Sequence, residues 1–356
     1  MRVRAHAPGR VNLIGDHTDY MAGLVLPMAI HLGTTVELER GGDRVHLVSD
    51  AGNAAEPDAS APDASAPDAS EPDASEAADI PLDVESMPSG WARYVAGVVA
   101  VTRPALGGTG RVTTTLPVGA GLSSSAALEV AVALALGFEG TAEELARACQ
   151  EAEHLASGVP CGIMDQLASA AGVEGHALLI DCATLDVVPV PVPAGVDVLV
   201  AHSGEARALA GSAYAERRAR CEAAEREIGP LRDATAADVA ALVDPTTRAR
   251  ARHVVTENDR VRAFAAVLRD GDLHMAGQLM TASHVSLRDD FEVSTAALDH
   301  VVGKLAFSPG VFGARLTGAG FGGCAVALAE RGAPVPEGLQ VWRLRPAGGA
   351  RVEALD

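Results

Sequence analysis

Along the chain the apolar residues change period several times, and each change marks an element. In "GRVNLI", residues 9–14, Val11, Leu13 and Ile14 surround Asn12 as in a buried strand. "TTVELER" at 34–40 alternates apolar and polar residues, and after "GGD" a second run, "RVHLVSD", predicts another strand. Helical spacing takes over in "WARYVAGVVAV", yields to a strand-like "RVTTTLPV", and returns in "AALEVAVALALGF" and "AEELARACQEAEHLA". Thr141 and Glu144 stand at capping-box spacing where the last of these begins. "HALLIDC" and "VDVLVAHSG" predict strands, and residues 212–305 read as mostly helical with arginines on polar faces. "ARLTGAGFGGCAVALA" then places two strand-like runs around a glycine loop. Strands first, helices later and a strand return predict an α+β protein of two lobes, residues 1–180 and 181–356.

One segment follows none of these periods. "EPDASAPDASAPDASEPDAS", residues 56–75, repeats every five residues and has almost no apolar bulk to offset its ordering entropy. It predicts a solvated insertion between strands, since each PDAS is a turn-former.

Composition narrows the function classes. At 356 residues the chain exceeds what one hydrophobic core usually serves, which agrees with two lobes. Aromatics are only 3% of the chain, so the core must rely on Ala, Val and Leu. The formal net charge of −19 argues against a nucleic-acid partner and against an anionic membrane surface. The longest mid-chain apolar run, Val130 to Phe138, is too short to span a bilayer, and "MRVRAHAPGR" lacks a signal-length apolar core. A cytoplasmic protein without a membrane partner is expected. Five cysteines, an odd number with no CxxC pair, predict reduced thiols. Lys304 is the single lysine; the rest of the positive charge is arginine.

Four stretches carry candidate chemistry. "LPVGAGLSSSAALEVA", residues 116–131, runs a turn with Gly119 and Gly121 into a helix whose free N–H groups suit an anion. Ser123, Ser124 and Ser125 add hydroxyls for phosphate or metal, or serve only as helix caps. No Gly-Lys-Ser/Thr occurs, so this is not a Walker A loop, and without the third glycine it is not a dinucleotide fingerprint. A nucleotide here would need Mg²⁺, backbone amides, the helix dipole and arginine to balance its charge. "GVPCGIMDQLASAAG" places Asp165 among Ile163, Met164 and Leu167, either as a proton-handling carboxylate or as a helix-capping surface Asp. "LTGAGFGGC", with four glycines between 318 and 323, allows close backbone approach to a ligand or makes a tight bend. In "GDHTDY", Asp16, His17 and Asp19, with Arg10 upstream, read as a polyol site, a metal site or plain turn residues.

Taken in this order, these stretches resemble the galactokinase family of GHMP small-molecule kinases over nearly the whole chain. "GRVNLIGDHTDY" resembles the galactokinase signature, "GLSSSAALEVA" the ATP loop, "CGIMDQ" the segment with the catalytic aspartate, and "LTGAGFGGC" the third motif. "SAYAERRARCE" and "RARHVVTEN…SHVSLRDDFEVS" are also similar to galactokinases.

The resemblance implies ATP-dependent phosphorylation of α-D-galactose at its anomeric hydroxyl, with the site in a cleft between two α+β lobes. A related kinase for N-acetylgalactosamine or arabinose, or a non-catalytic galactose sensor, is the alternative. It implies Asp165 as catalytic base, with Arg10 beside it steadying the transferring phosphoryl group. Asp16, His17, Thr18, Asp19, Gly162 and Tyr214 would hold the sugar. Gly119, Ala120, Gly121, Leu122, Ser123, Ser124 and Ser125 would hold the triphosphate, and Trp91 would line the adenine pocket. Ser125 and Glu153 would hold Mg²⁺ as cofactor, with galactose and ATP as partners and a monomer or weak dimer as the assembly. Asp16 stands where the family usually has glutamate, and Met21 where it usually has asparagine.

Overall fold

The computed structural model describes residues 1–50, 77–117, 120–205 and 210–356. The expected PDAS insertion lies outside them. The chain begins with a long hairpin, β1 (Arg2–Asn12) and β3 (Pro27–Arg40), interrupted by the two-residue β2 (Leu24–Val25). β4 (Arg44–Asp50) and β5 (Ala77–Pro81) pair antiparallel on the two sides of the undescribed stretch. β6 (Gly108–Thr114) pairs with β3 antiparallel and with β4 in parallel. The run that looked like one strand to Val118 thus ends at Thr114.

This sheet is closed by β13 (Arg351–Leu355), which lies beside β1 to give the order β13-β1-β3-β6-β4-β5. The chain's last strand therefore sits in the sheet of its first residues, and the expected division at residue 180 is crossed. β13 and β12 (Val341–Leu344) are polar or short, and neither stands out in the sequence.

Helices α1 (Ala92–Thr102) and α2 (Ser124–Ala135) lie on this sheet, and α3 (Ala142–Ser157) packs against both. Their Val95, Val99, Val130 and Leu145 pack with Val3, Val36 and Leu47 in one small-residue core. α2 is apolar nearly all round because it is buried on several sides, Ala126 through Val132 being almost entirely inaccessible. The Thr141–Glu144 capping box at the start of α3 is formed as expected. α4 (Met164–Ala171) packs against α3, and β7 (His176–Asp181), β8 (Val187–Pro191) and β2 make a small sheet.

The second lobe contains β9 (Val196–His202), β10 (Val311–Thr317), β11 (Cys324–Glu330) and β12 in the order β10-β11-β9-β12. Its helices are α5 (Ala210–Ile228), α6 (Ala236–Ala241), α7 (Pro245–Asp270), α8 (Leu273–Asp289) and α9 (Ala296–Ala306). One core joins the lobes: Val11, Leu13 and Ile14 from the opening stretch meet Phe264 of α7, Val326 of β11 and Trp342 of β12. Among the described residues no helix is long and apolar enough to cross a membrane.

Candidate active site

β1 ends at Asn12, and the chain then makes an eleven-residue loop, 13–23, before β2. Three loop residues take left-handed backbone: Gly15 at φ 99°, His17 at 66° and Ala22 at 54°. For His17 and Ala22 this conformation is strained, which is common where a loop presents functional groups. The loop lines a cavity of about 230 Å³ with Asp16, His17 and Asp19. Arg10, Val159, Cys161, Gly162, Met164, Asp165, Tyr214, Gly318 and Ala319 complete the wall. Residues far apart in sequence, and assigned to one sugar site, therefore do meet.

At one end of the cavity Arg10 holds Asp165 bidentately: Nε donates to Oδ1 at 2.7 Å and Nη2 to Oδ2 at 2.6 Å. Ser123 Oγ adds a third donor to Oδ2 at 2.6 Å. Asp165 lies in the first turn of α4, and its side chain stays 31% exposed toward the cleft, whereas Arg10 is buried. The carboxylate thus has a fixed orientation and an open side. Arg10 Nη1 also donates to the Gly121 carbonyl at 2.7 Å, and Arg10 N donates to the Leu122 carbonyl at 3.1 Å, so the serine loop is tied to the same arginine.

Ser123 settles one open reading of that loop. It sits at the N-cap of α2 with φ 60° and makes no side-chain cap. Its hydroxyl turns to Asp165 instead. Ser124 is exposed, Ser125 is half-buried, Ala120 and Leu122 are buried, and Gly119 lies outside the described residues. Trp91 is the N-cap residue of α1, half-buried against the first lobe's core and away from the cavity wall.

The other end of the cavity is aromatic and acidic. His17 lies between rings, 5.6 Å from Tyr214 and 4.7 Å from Phe291 by centroid, with Nδ1 2.9 Å from Tyr20 Oη. Burial, reinforced by nearby His253, pushes its pKa down to about 3, so His17 is a neutral hydrogen-bonding group. Asp19 is pushed the other way, to about 7, by burial and by the neighbouring Asp165 charge. Gly162 lies hard against it: a Cβ there would stand 1.9 Å from Asp19 Oδ2.

Several of the expected sugar contacts also have protein partners: besides Tyr20 at Nδ1, His17 has the Ala319 carbonyl 3.2 Å from Nε2. Thr18 is fully buried, its one hydroxyl proton shared between the Gly15 and Leu24 carbonyls at 2.9 and 2.7 Å, so it staples the loop and does not reach the cavity. Asp16 lines the cavity, but its Oδ2 pairs with the buried Arg315 of β10 and its Oδ1 accepts the Gly318 amide at 2.9 Å. Met21 packs with Cys221, Leu231 and Phe291, facing the helices and not the cavity.

Behind the serine loop lies a buried acidic cluster. Ser125 hydrogen-bonds Glu153 of α3, and Gln166 Nε2 lies 3.1 Å from Glu153 and 3.3 Å from Glu129. Burial and mutual repulsion raise Glu129 to about 10, and burial together with Asp165 raises Glu153 to about 7. Glu129 Oε1 and Gln166 Oε1 are buried without a partner. A hydroxyl, carboxylates and an amide oxygen are hard donors of the kind Mg²⁺ takes, so the set fits that ion. Sequence reasoning missed Glu129 because an acid inside "AALEVAVALAL" reads as a lone polar residue in an apolar helix. It also missed Arg315, Cys161 and Phe291.

The architecture and the cleft, with a glycine-serine loop entering a helix beside an Arg–Asp pair, define a small-molecule kinase of the GHMP type. Models of the GHMP kinase N-terminal and C-terminal domains match residues 93–173 and 263–344, and the galactokinase galactose-binding signature matches residues 2–40. The chain belongs to the galactokinase family. It is 44% identical over 342 residues to galactokinase of Chloroflexus aurantiacus, spanning 91% of this chain and 83% of that protein. It is 43% identical over 343 residues to galactokinase of Homo sapiens, spanning 92% and 83%. The crystal structure of Lactococcus lactis galactokinase complexed with galactose superposes with a TM-score of 0.86 at 30% identity, over 99% of this chain and 95% of that one. The fold alone is shared with Methanococcus jannaschii mevalonate kinase, at a TM-score of 0.64 and 17% identity over 97% and 98% of the two chains.

Proposed function

We propose that the protein transfers the γ-phosphoryl group of ATP to the anomeric hydroxyl of galactose, giving galactose 1-phosphate and ADP. The observation that carries this reading is Asp165. It is fixed by Arg10 and Ser123, open to the cleft, and shares one cavity with Asp19, His17 and Tyr214.

In this mechanism Asp165 accepts the proton of the anomeric hydroxyl as its oxygen attacks the γ-phosphorus, and the bond to the β-phosphate oxygen breaks. Arg10 holds the base and, through Gly121, sets its distance from the triphosphate loop. Asp19, His17 and the Tyr214 hydroxyl orient the sugar, so that much of the acceleration comes from alignment. Gly119 to Ser125 cradle the triphosphate, and Trp91 borders the adenine. Ser125 and Glu153 would hold Mg²⁺, which when bound offsets phosphate charge. Asp16 reaches the sugar through a remaining lone pair or a bridging water, because both its oxygens already have protein donors.

The test is ADP release on a panel of free sugars, with wild type and Asp16→Glu. Galactose should be the preferred acceptor for both, with KM values within about tenfold of each other. Preference of the wild type for N-acetylgalactosamine or arabinose, switching to galactose in Asp16→Glu, would assign Asp16 to a different sugar. ADP release no faster than without sugar would leave the sensor reading standing.

A further inference from the structure

We infer that one face of α7 is a positioning device for the sugar loop: His253, Glu257 and Asn258, which do not line the cavity, set sugar affinity by fixing the loop's backbone. This rests on the reading of the cleft as the sugar site.

The three residues follow at i, i+4 and i+5, so they share the inward face of the helix. All are buried. Each takes a backbone group of the loop or its exit. His253 Nε2 donates to the Asp16 carbonyl at 3.1 Å. Glu257 Oε1 accepts the Gly15 amide at 3.0 Å. Asn258 Oδ1 accepts the Leu24 amide at 2.8 Å. Glu257 is itself braced by Ser283 Oγ at 2.5 Å and by Arg260 Nε at 2.6 Å.

The loop is shaped to receive this face. A Cβ on Gly15 would stand 2.9 Å from Val261 Cγ2, one turn beyond Glu257, and a Cβ on Gly23 would stand 2.6 Å from Asn258 Oδ1. Glycines at both ends of the loop thus allow the helix to approach. The loop needs such bracing because His17 and Ala22 hold left-handed backbone, a conformation that persists only when the surroundings over-determine it. His17 and Asp19 are the groups the loop presents. If the strut is released, these groups lose their alignment while the serine loop, held by Arg10, keeps its own.

The experiment compares Asn258→Ala, Asn258→Asp and Gly23→Ala in the full chain, reading KM for galactose, KM for ATP and thermal melting. Asn258→Ala leaves the Leu24 amide unpaired and should raise galactose KM about tenfold with ATP KM nearly unchanged. Asn258→Asp keeps the acceptor, and because Asn258 Nδ2 has no partner it loses no hydrogen bond; the carboxyl buried there should lower the melting temperature, while galactose KM stays near the wild-type value. Gly23→Ala presses on the same contact from the loop side, its Cβ also meeting the Thr18 carbonyl oxygen at 2.9 Å, so it too should raise galactose KM with ATP KM nearly unchanged. The inference is overturned if folded Asn258→Ala keeps wild-type galactose KM, if both KM values rise together, or if Asn258→Asp behaves like Asn258→Ala. Should Asn258→Ala not fold, the comparison of Gly23→Ala with Asn258→Asp decides on the same criteria. A wild type that ignores galactose would refute the sugar-site reading itself, a result distinct from all of these.

Discussion

Replacing Gly162 by alanine probes the sugar end of the cavity with a single carbon. Gly162 has no left-handed backbone, so alanine meets no conformational penalty there. The obstacle is Asp19: the new Cβ would lie 1.9 Å from Oδ2 and 2.2 Å from Cγ, where real Cβ contacts stay above 3.0 Å. The carboxyl must therefore retreat by at least 1.1 Å, the difference between 3.0 and 1.9 Å. Misplacing a substrate-orienting group by about 1 Å can cost about 10²-fold, and that loss is expected in kcat/KM for galactose. ATP KM should stay near the wild-type value, since the serine loop is held independently by Arg10. Overpacking should also lower stability by about 1–3 kcal/mol, and Asp19→Ala in the same chain should restore the melting temperature without restoring activity. Steady-state kinetics with each substrate varied in turn, together with thermal melts, read all three effects. A kcat/KM for galactose within about threefold of wild type would refute the argument, because it falls far short of a misplacement effect.

Asp165→Asn should keep nucleotide binding, measured by calorimetry, and lose about 10²–10⁴ in turnover, because an amide cannot take the proton; retention of a third of wild-type kcat would remove Asp165 from the mechanism. Arg315→Met should destabilise the protein by about 3–5 kcal/mol in urea unfolding, since it strands the buried Asp16 carboxylate. A loss below about 1 kcal/mol would show that the pair acts as an exposed one. His17→Asn should flatten the acid limb of the stability curve. His17 has a folded pKa of about 3, below the free value, so the unfolded chain binds the proton first and stability falls as pH drops through about 6.5. Wild type should lose up to about 1.4 kcal/mol per pH unit more than the variant between pH 6.5 and 5, and parallel curves would contradict this.

What was legible in the sequence was local. The strand through Val11, the capping box of Thr141 and Glu144 and the helical run after residue 212 each follow from spacing within a few residues, although the strand stops at Asn12, short of Leu13 and Ile14. The site residues were legible as motifs, and the fold brings the Arg10–Asp165 pair and the expected sugar residues other than Thr18 to one cavity. What the sequence hid depends on partners far along the chain. Arg315 inside the apolar "VFGARLTGAG" has no local reason to be there; its partner, Asp16, is 299 residues upstream. The spacing of His253, Glu257 and Asn258 marks a helix face but not what it touches. Ser123 looked like a cap or a phosphate ligand, and only its left-handed backbone turns the hydroxyl to Asp165. Thr18 matched the motif, yet its hydroxyl closes the loop on itself.

The central claim is tested most directly by following the phosphorus. Wild-type protein with ATP, Mg²⁺ and galactose, monitored by phosphorus NMR with coupled detection of ADP, should give one ADP for each phosphate ester, the ester lying on the α-anomeric oxygen. The same mixture with Asp165→Asn should remain essentially unreacted. An ester on another hydroxyl, or ADP formed without any sugar ester, would contradict the account.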